Sequence, residues 1–222
     1  HPVFNLDYPL APEHPHSLPL LSLLQALDWI RRRHPEASVV HLMGDSAGGN
    51  LALMLGLLLA NPRLLRDLDP SLASLSLPRP LSVISLYGVL DRLSWLTTRF
   101  PGSRLMLACY AGRGAFEETV RPELAITPLD LEFERTPPCF LAAGTRDRPA
   151  ESSRLASQRL SGAGARVRFE TYEGESHGFF NLSWRPQSAR LRSDITDFLC
   201  EVDRDAAADR SESCETREAF PP

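Results

Sequence analysis

Short apolar runs alternate along this chain with longer segments whose apolar residues recur at helical spacing. The short runs are rich in β-branched and aromatic residues, which is typical of strands. They cover residues 3–8, 39–43, 81–87, 139–143 and 165–172. The leucines between Leu18 and Leu27 recur every third residue and predict a largely buried helix over 19–33. Further helices are predicted over 51–60, 149–160 and 187–202.

This alternation of strands and helices predicts an α/β fold with a mostly parallel sheet. In such sheets, ligands bind at the carboxyl ends of the strands. Residues 88–138 separate two predicted strands and are too many for a plain connection. We expect a helical insertion there that forms a lid or a pocket wall. We expect one domain over 1–202 and a disordered tail over 203–222, because the tail is polar and charged.

The chemistry of the chain centres on a glycine-rich segment that follows the second predicted strand. Residues 44–48 read Gly-Asp-Ser-Ala-Gly, and an apolar helical segment comes directly after them. A strand, a tight glycine-flanked turn and a helix are the context that a nucleophile elbow requires. The turn forces Ser46 into a strained backbone conformation and exposes its hydroxyl. The N–H of Ala47 lies at the helix N-terminus, which favours developing negative charge.

A serine hydroxyl needs a base, and His177 is the most suitable histidine. It follows a predicted strand within a glycine-punctuated loop, and neutral imidazole suits proton transfer near pH 7. His41 lies inside a predicted strand, where we expect it to pack or to point sideways. His14 and His16 lie in a proline-rich turn and remain weaker rivals, and a surface role for His177 is the plain alternative.

A histidine base needs a carboxylate that fixes its tautomer, and Asp147 closes the strand predicted before it. Ser46, Asp147 and His177 each follow a predicted strand, so the same edge of the sheet brings them together. Asp147 also suits the cap of the following helix, a role compatible with the first. The competing acids are Glu151, Glu173 and Glu175.

Four segments together make the chain similar to the hormone-sensitive-lipase-like family of α/β-hydrolase esterases. Residues 7–15, DYPLAPEHP, resemble that family's DYRLAPEHP segment, and residues 44–50, GDSAGGN, match its nucleophile elbow. Residues 144–147 and 176–179 resemble its acid and histidine loops. The resemblance covers about residues 3–202. It implies an α/β-hydrolase fold with helices on both faces of the sheet, and hydrolysis of small-molecule carboxylic esters through an acyl-enzyme without metal or organic cofactor.

The chain departs from this family pattern in two places. The 222 residues contain no His-Gly-Gly-Gly segment, whose backbone N–H groups supply most of the family's oxyanion hole. The resemblance places that loop and the first strands of the sheet upstream of His1, so we expect a truncated sheet in a fragment or processed product. Ala47 is then the predicted oxyanion donor, and the loss of one donor can lower the rate by ~10²–10³, enough to make this chain inactive. Arg148 and Pro149 replace the usual residues beside the acid.

Two other functions fit the same residues. One is a catalytically silent relative that binds a small hydrophobic ligand, although such relatives usually lose the histidine. The other is an amidase or formamidase with the same triad, because the shape of the pocket decides which leaving group is accepted.

Composition excludes several other classes. A net charge of −4 gives no electrostatic case for nucleic acid, and no apolar run reaches the ~18 residues of a spanning helix, so we expect no stable membrane insertion. The four cysteines are widely spaced without a Cys-x-x-Cys pair, which argues against a zinc site and a disulfide framework. They favour a reducing compartment, and we expect a cytoplasmic protein.

Overall fold

The computed structural model describes residues 1–98, 100–116 and 125–218, with the backbone alone beyond residue 209. Within these residues, four strands alternate with helices, and this alternation is the one that the apolar pattern predicts. The strands are β1 (Val39–Asp45), β2 (Arg79–Leu86), β3 (Cys139–Gly144) and β4 (Val167–Tyr172). The helices are α1 (Leu18–Arg33), α2 (Ala47–Ala60), α3 (Pro62–Leu68), α4 (Arg92–Thr97), α5 (Ser103–Ala111), α6 (Ala150–Gly162) and α7 (Pro186–Glu218).

The four strands form one parallel sheet in the order β1-β2-β3-β4. Ser46, Asp147 and His177 each follow a strand. Because every strand runs the same way, the carboxyl ends of these strands lie at the same edge of the sheet. The outer position of β4 explains its alternating polar residues, which a strand with neighbours on both sides would bury. The parallel sheet therefore gathers the three predicted site residues at one edge.

Helices cover both faces of this sheet, and each face has its own apolar cluster. On one face α1, α2 and α6 pack against Val83 and Leu141. On the other face α7 packs against Ile84 and Phe140, with the Phe198 ring tilted against the Phe140 ring. Adjacent strand residues point to opposite faces, so Phe140 and Leu141 serve different clusters. The buried apolar residues of the two central strands thus build two cores at once.

The predicted strand over residues 3–8 is wrong, since no part of that segment is a strand in the structure. Residues 1–8 nevertheless run beside β1. The His1 ring contacts the His41 ring, and burial followed by the Asp45 charge raises the pKa of the Tyr8 hydroxyl. Leu6 and Tyr8 pack on the apolar cluster beneath α1 and α2. A strand exists only when a neighbour completes its hydrogen bonds, so an apolar pattern without a paired neighbour gives extended chain.

The segment predicted as an insertion contains α4, α5 and short 3₁₀ turns at Gly112–Phe116 and Pro128–Asp130. Residues 99 and 117–124 of this segment lie outside the described residues. A third apolar cluster, centred on Trp95, Leu107 and Ile126, holds the helices together. Where the chain returns from the insertion to the sheet, the buried Asn61 amide forms hydrogen bonds with the backbone of Glu134 and Arg135.

The structure departs from the disordered tail predicted from residue 203, because α7 continues from the predicted end at Val202 to Glu218. Three successive alanines, 206–208, favour the helix, and Arg166 pairs with Glu201 and Asp205 along its exposed side. The charge pattern that suggested disorder is therefore also the pattern of a solvated helix face. Residues 219–222 of the predicted tail lie outside the described residues.

Candidate active site

Ser46 occupies the turn between β1 and α2 with φ of 52° and ψ of −115°. This left-handed backbone is rare for a residue with a side chain, and the surroundings must hold it in place. Its N–H donates to the Leu86 carbonyl at 2.9 Å, which ties the turn to the end of β2. A Cβ atom at Gly44 would lie 2.2 Å from the Gly48 carbonyl oxygen, so glycine is required where the strand and the helix pass each other.

The side chains of Ser46, His177 and Asp147 form one hydrogen-bonded chain. Ser46 Oγ lies 2.8 Å from His177 Nε2. His177 Nδ1 lies 3.1 Å from Asp147 Oδ1 and 3.2 Å from Oδ2. The Asp147 side chain is 1% exposed and that of His177 is 19% exposed. A proton on Nδ1 donated to Asp147 leaves the Nε2 lone pair facing the serine hydroxyl, which is the tautomer that a general base needs.

The loops that carry Asp147 and His177 are interlocked through their backbones. A Cβ at Gly144 would lie 2.2 Å from the Glu175 carbonyl oxygen, and that carbonyl accepts the Arg146 N–H at 2.8 Å. The buried Glu175 carboxylate in turn pairs with Arg185 at 2.7 Å. The acid loop after β3 and the base loop after β4 therefore hold each other in position.

Aromatic rings confine the His177 imidazole from two sides. The Tyr87 and Phe100 rings each meet it edge to face, with centroids 5.0 Å away. Tyr87 donates its hydroxyl to Asp45 at 3.2 Å, and burial followed by the Asp45 charge raises the pKa of that hydroxyl. Sequence reasoning did not identify either ring. The positive φ of Tyr87, 41°, is a backbone feature that the sequence does not signal.

A cavity of about 570 Å³ opens beside the Ser46 hydroxyl. One wall is formed by residues 8–12 of the N-terminal segment, and the floor carries Ser46, Ala47 and His177. The remaining walls come from the insertion, mainly through aromatic and aliphatic side chains: Trp95, Phe100, Leu105, Met106, Tyr110 and Ile126. The lining is mostly apolar, with the serine and histidine as convergent polar groups, which is the usual character of a small-molecule site.

Ala47 is exposed at the first position of α2 and lines the same cavity. The first N–H groups of a helix have no partner within the helix, and the first α2 bond runs from the Asn50 N–H to the Ser46 carbonyl. The Ala47 N–H thus lies next to Ser46 at a helix end that favours negative charge.

The competing residues lie elsewhere or have other partners. Glu151 pairs with Arg154 on the surface of α6, Glu173 is exposed, and Glu175 is held by Arg185. Among the histidines, His34 pairs with Glu36 and His41 with Asp203. The hydrogen-bond partners of the His41 ring are Ser82 and Asp203.

A model of the alpha/beta hydrolase fold family matches residues 1–181. The chain belongs to this family, the hormone-sensitive-lipase-like branch of the α/β hydrolases. It is 30% identical to the carboxylesterase/phospholipase LipF of Mycobacterium tuberculosis over 216 residues, which cover 95% of this chain and 55% of that protein. An esterase of Acinetobacter venetianus is 27% identical over 211 residues, 91% of this chain and 65% of the relative.

Solved structures agree on the fold. The crystal structure of esterase LipW from Mycobacterium marinum superposes with a TM-score of 0.71 at 25% identity, covering 88% of this chain and 61% of that one. The chain therefore spans 55–65% of the length of these relatives. Within the part that the structure describes, each helix is too short or too polar to cross a bilayer.

Proposed function

We propose that this protein is a serine hydrolase that cleaves carboxylic esters through Ser46, His177 and Asp147. The observation that carries the proposal is the continuous hydrogen-bonded chain from the Ser46 hydroxyl through the His177 ring to the buried Asp147 carboxylate. Its position at the floor of an apolar cavity gives a substrate access to the hydroxyl. The esterase names of the relatives agree with this chemistry.

In the acylation step, Ser46 Oγ attacks the acyl carbonyl carbon while His177 Nε2 takes the hydroxyl proton. The carbonyl electrons move onto oxygen and form a tetrahedral oxyanion. When the oxyanion collapses, the ester C–O bond breaks and the leaving alcohol takes the proton from His177. The products of this step are the alcohol and an acyl group on Ser46.

In the deacylation step, water attacks the acyl carbon and gives its proton to the same nitrogen. Collapse of the second tetrahedral species returns that proton to Ser46 and releases the carboxylic acid. Asp147 remains ionised throughout, because it accepts the Nδ1–H and stabilises the transient imidazolium. The burial of Asp147 keeps water from competing for that hydrogen bond.

The Ala47 N–H is the proposed donor to the oxyanion. It follows the nucleophile directly, and the α2 dipole acts in the same direction. The apolar walls of the cavity suit the hydrocarbon part of an ester, so we expect esters of apolar acids to react better than charged ones.

The test is covalent labelling with a fluorophosphonate, followed by peptide mass spectrometry, on the wild-type chain and two serine variants. Ser46→Ala is expected to abolish labelling, whereas Ser82→Ala is the matched control. Ser82 also hydrogen-bonds a histidine, but it is wholly buried within β2. Circular dichroism shows whether each variant is folded.

Labelling at Ser46 that survives in Ser82→Ala supports the proposal. The same labelling is done on a version extended upstream of His1 by the His-Gly-Gly-Gly loop. If neither folded wild-type version takes up label, the proposal is contradicted and a ligand-binding relative is the better account. Parallel assays with a p-nitrophenyl ester and the corresponding p-nitroanilide then separate an esterase from an amidase.

A further inference from the structure

A second cluster of titratable side chains lies at the start of β1, away from the candidate active site. His1 Nε2 lies 2.7 Å from Asp203 Oδ2, and His41 Nε2 lies 3.1 Å from Asp203 Oδ1. One nitrogen or oxygen atom from each of the three residues lies within 4.8 Å of the other two. His41 and Ser46 are five residues apart on an extended strand, so the two sites are about 16 Å apart.

Three separate elements contribute to this cluster. His41 comes from β1, Asp203 from α7, and His1 from the N-terminal segment that runs beside β1. Their side chains are 16%, 34% and 60% exposed, respectively, so the cluster has a packed base and an open mouth. An ion can therefore enter from solvent without a rearrangement of the sheet.

The orientation of the His41 ring is fixed from behind. Its Nδ1 lies 2.8 Å from Ser82 Oγ, and Ser82 is its partner in the strand register and is wholly buried. When Nδ1 carries the proton and donates it to Ser82, Nε2 presents its lone pair toward Asp203. A second hydrogen bond that fixes the tautomer and orientation of a histidine is the usual support for a metal ligand.

We propose that His1, His41 and Asp203 bind a first-row divalent transition-metal ion, with Zn²⁺ as the reference ion. Two imidazoles and one carboxylate suit this class of ion, whereas Mg²⁺ and Ca²⁺ prefer oxygen ligands alone. Bonds of about 2.0–2.2 Å to a tetrahedral ion separate the ligand atoms by about 3.3–3.5 Å. The observed 2.7 and 3.1 Å separations require the carboxylate and the rings to move apart by less than ~1 Å.

Water completes the coordination, since three protein ligands leave the fourth position open. The sequence argument against zinc rested on cysteine spacing. It overlooked this cluster because the histidines are 40 residues apart and the aspartate lies 162 residues beyond the second histidine.

The experiment is isothermal titration of the chelator-treated full chain with ZnCl₂, repeated with MgCl₂. We expect one Zn²⁺ per chain and no heat of binding with Mg²⁺. Ser82 only supports a ligand, so Ser82→Ala should weaken Zn²⁺ binding by ~10–100-fold. His41→Gln and Asp203→Asn each remove a ligand and should weaken Zn²⁺ binding by more than this. His34→Gln is the matched control, because His34 also pairs with a carboxylate, that of Glu36, at 3.3 Å.

Co²⁺ serves as a spectroscopic probe of the ligands. Nitrogen and oxygen ligands give visible d–d bands without the near-ultraviolet charge-transfer band of a thiolate, so a site built on cysteine is recognised directly. No Zn²⁺ binding, equal binding by wild type and His41→Gln, or a thiolate band overturns the proposal. A melting curve of each variant without metal shows whether it is folded.

Discussion

Two groups of serine, histidine and aspartate lie at opposite ends of β1, and their hydrogen-bond lengths are nearly the same. The serine–histidine distance is 2.8 Å in both, and the closest histidine–aspartate distance is 3.1 Å in both. The nitrogens have exchanged roles. Ser46 faces Nε2 of His177, whereas Ser82 faces Nδ1 of His41.

The surroundings separate the two groups. Ser46 is lifted out of the sheet by a strained turn and lines a cavity, whereas Ser82 is wholly buried within a strand. The exposure of the two aspartates is reversed: the Asp147 side chain is buried, whereas the Asp203 side chain is one-third exposed. Residue types and distances therefore do not define a hydrolase site. Access to the nucleophile and shelter of the acid distinguish the candidate active site from its counterpart.

The largest expected effect comes from the two histidines. His177→Ala removes the proposed base and is expected to lower kcat/KM for a p-nitrophenyl ester by about 10⁴–10⁶. His41→Ala should leave kcat/KM within about threefold of wild type, since its ring does not reach the cavity. Comparable losses in both folded variants would mean that the two groups are not functionally distinct.

Substitution of the two aspartates should likewise lower kcat only at the candidate active site. Asp147→Asn keeps the shape of the side chain but presents an amide to Nδ1, which favours the wrong tautomer, and kcat is expected to fall by about 10³–10⁴. Asp203→Asn should leave kcat nearly unchanged in the same steady-state assay. Full activity of Asp147→Asn would transfer the orienting role to another acid.

Substitutions at two glycines of the elbow test whether its backbone is what lifts Ser46 out of the sheet. A Cβ at Gly44 collides with the Gly48 carbonyl, so Gly44→Ala should lower the free energy of unfolding by about 3 kcal/mol or more. A Cβ at Gly48 meets no atom of the described residues within 4 Å, and Gly48→Ala should change the free energy of unfolding by no more than about 1 kcal/mol. Urea denaturation measures both. Equal effects would show that the close approach of strand and helix is not what constrains Ser46.

His16 shows what happens to a histidine without a carboxylate partner. Its Nδ1 lies 3.2 Å from the Tyr110 hydroxyl, and its Nε2 is buried with no hydrogen-bond partner among the described residues. Burial lowers the pKa of His16 from 6.5 to about 4. The unfolded chain then binds more protons between these pH values, so stability is complete above pH 6.5 and falls as the pH drops toward 4.

The loss attributable to His16 is at most about 3 kcal/mol. Urea unfolding at a series of pH values measures it, and His16→Phe should flatten the curve in this range. His14→Phe, at an exposed position, should retain the wild-type slope. An unaltered slope in His16→Phe would assign the pH dependence to other groups.

The sequence predicted most of the sheet because buried parallel strands are recognisable as apolar runs. It also predicted that Ser46, Asp147 and His177 would meet, since parallel strands place their carboxyl ends at one edge. The prediction of a strand over 3–8 was wrong because the apolar pattern does not reveal whether a neighbouring strand is present to pair with it. The prediction of disorder from residue 203 failed because a charged, polar sequence fits both a disordered chain and a solvated helix.

Contacts between distant segments could not be predicted. The Asp203 carboxylate approaches His1 and His41 only because α7 crosses the sheet near the start of β1. Likewise, nothing in the local sequence indicates that Phe100, from the insertion, contacts the His177 ring. Such contacts depend on how helices lie across a sheet, and residue spacing contains no information about that.

The cavity draws its reacting groups and its walls from different parts of the chain. Ser46, Asp147 and His177 are carried by the edge of the sheet, whereas most of the apolar lining comes from the N-terminal segment and the insertion. For the proposed ester hydrolysis, substitutions in the walls would therefore change which ester is accepted while Ser46, Asp147 and His177 keep their positions. For an engineer or for natural selection, substrate choice and bond-breaking chemistry are separately adjustable in this architecture.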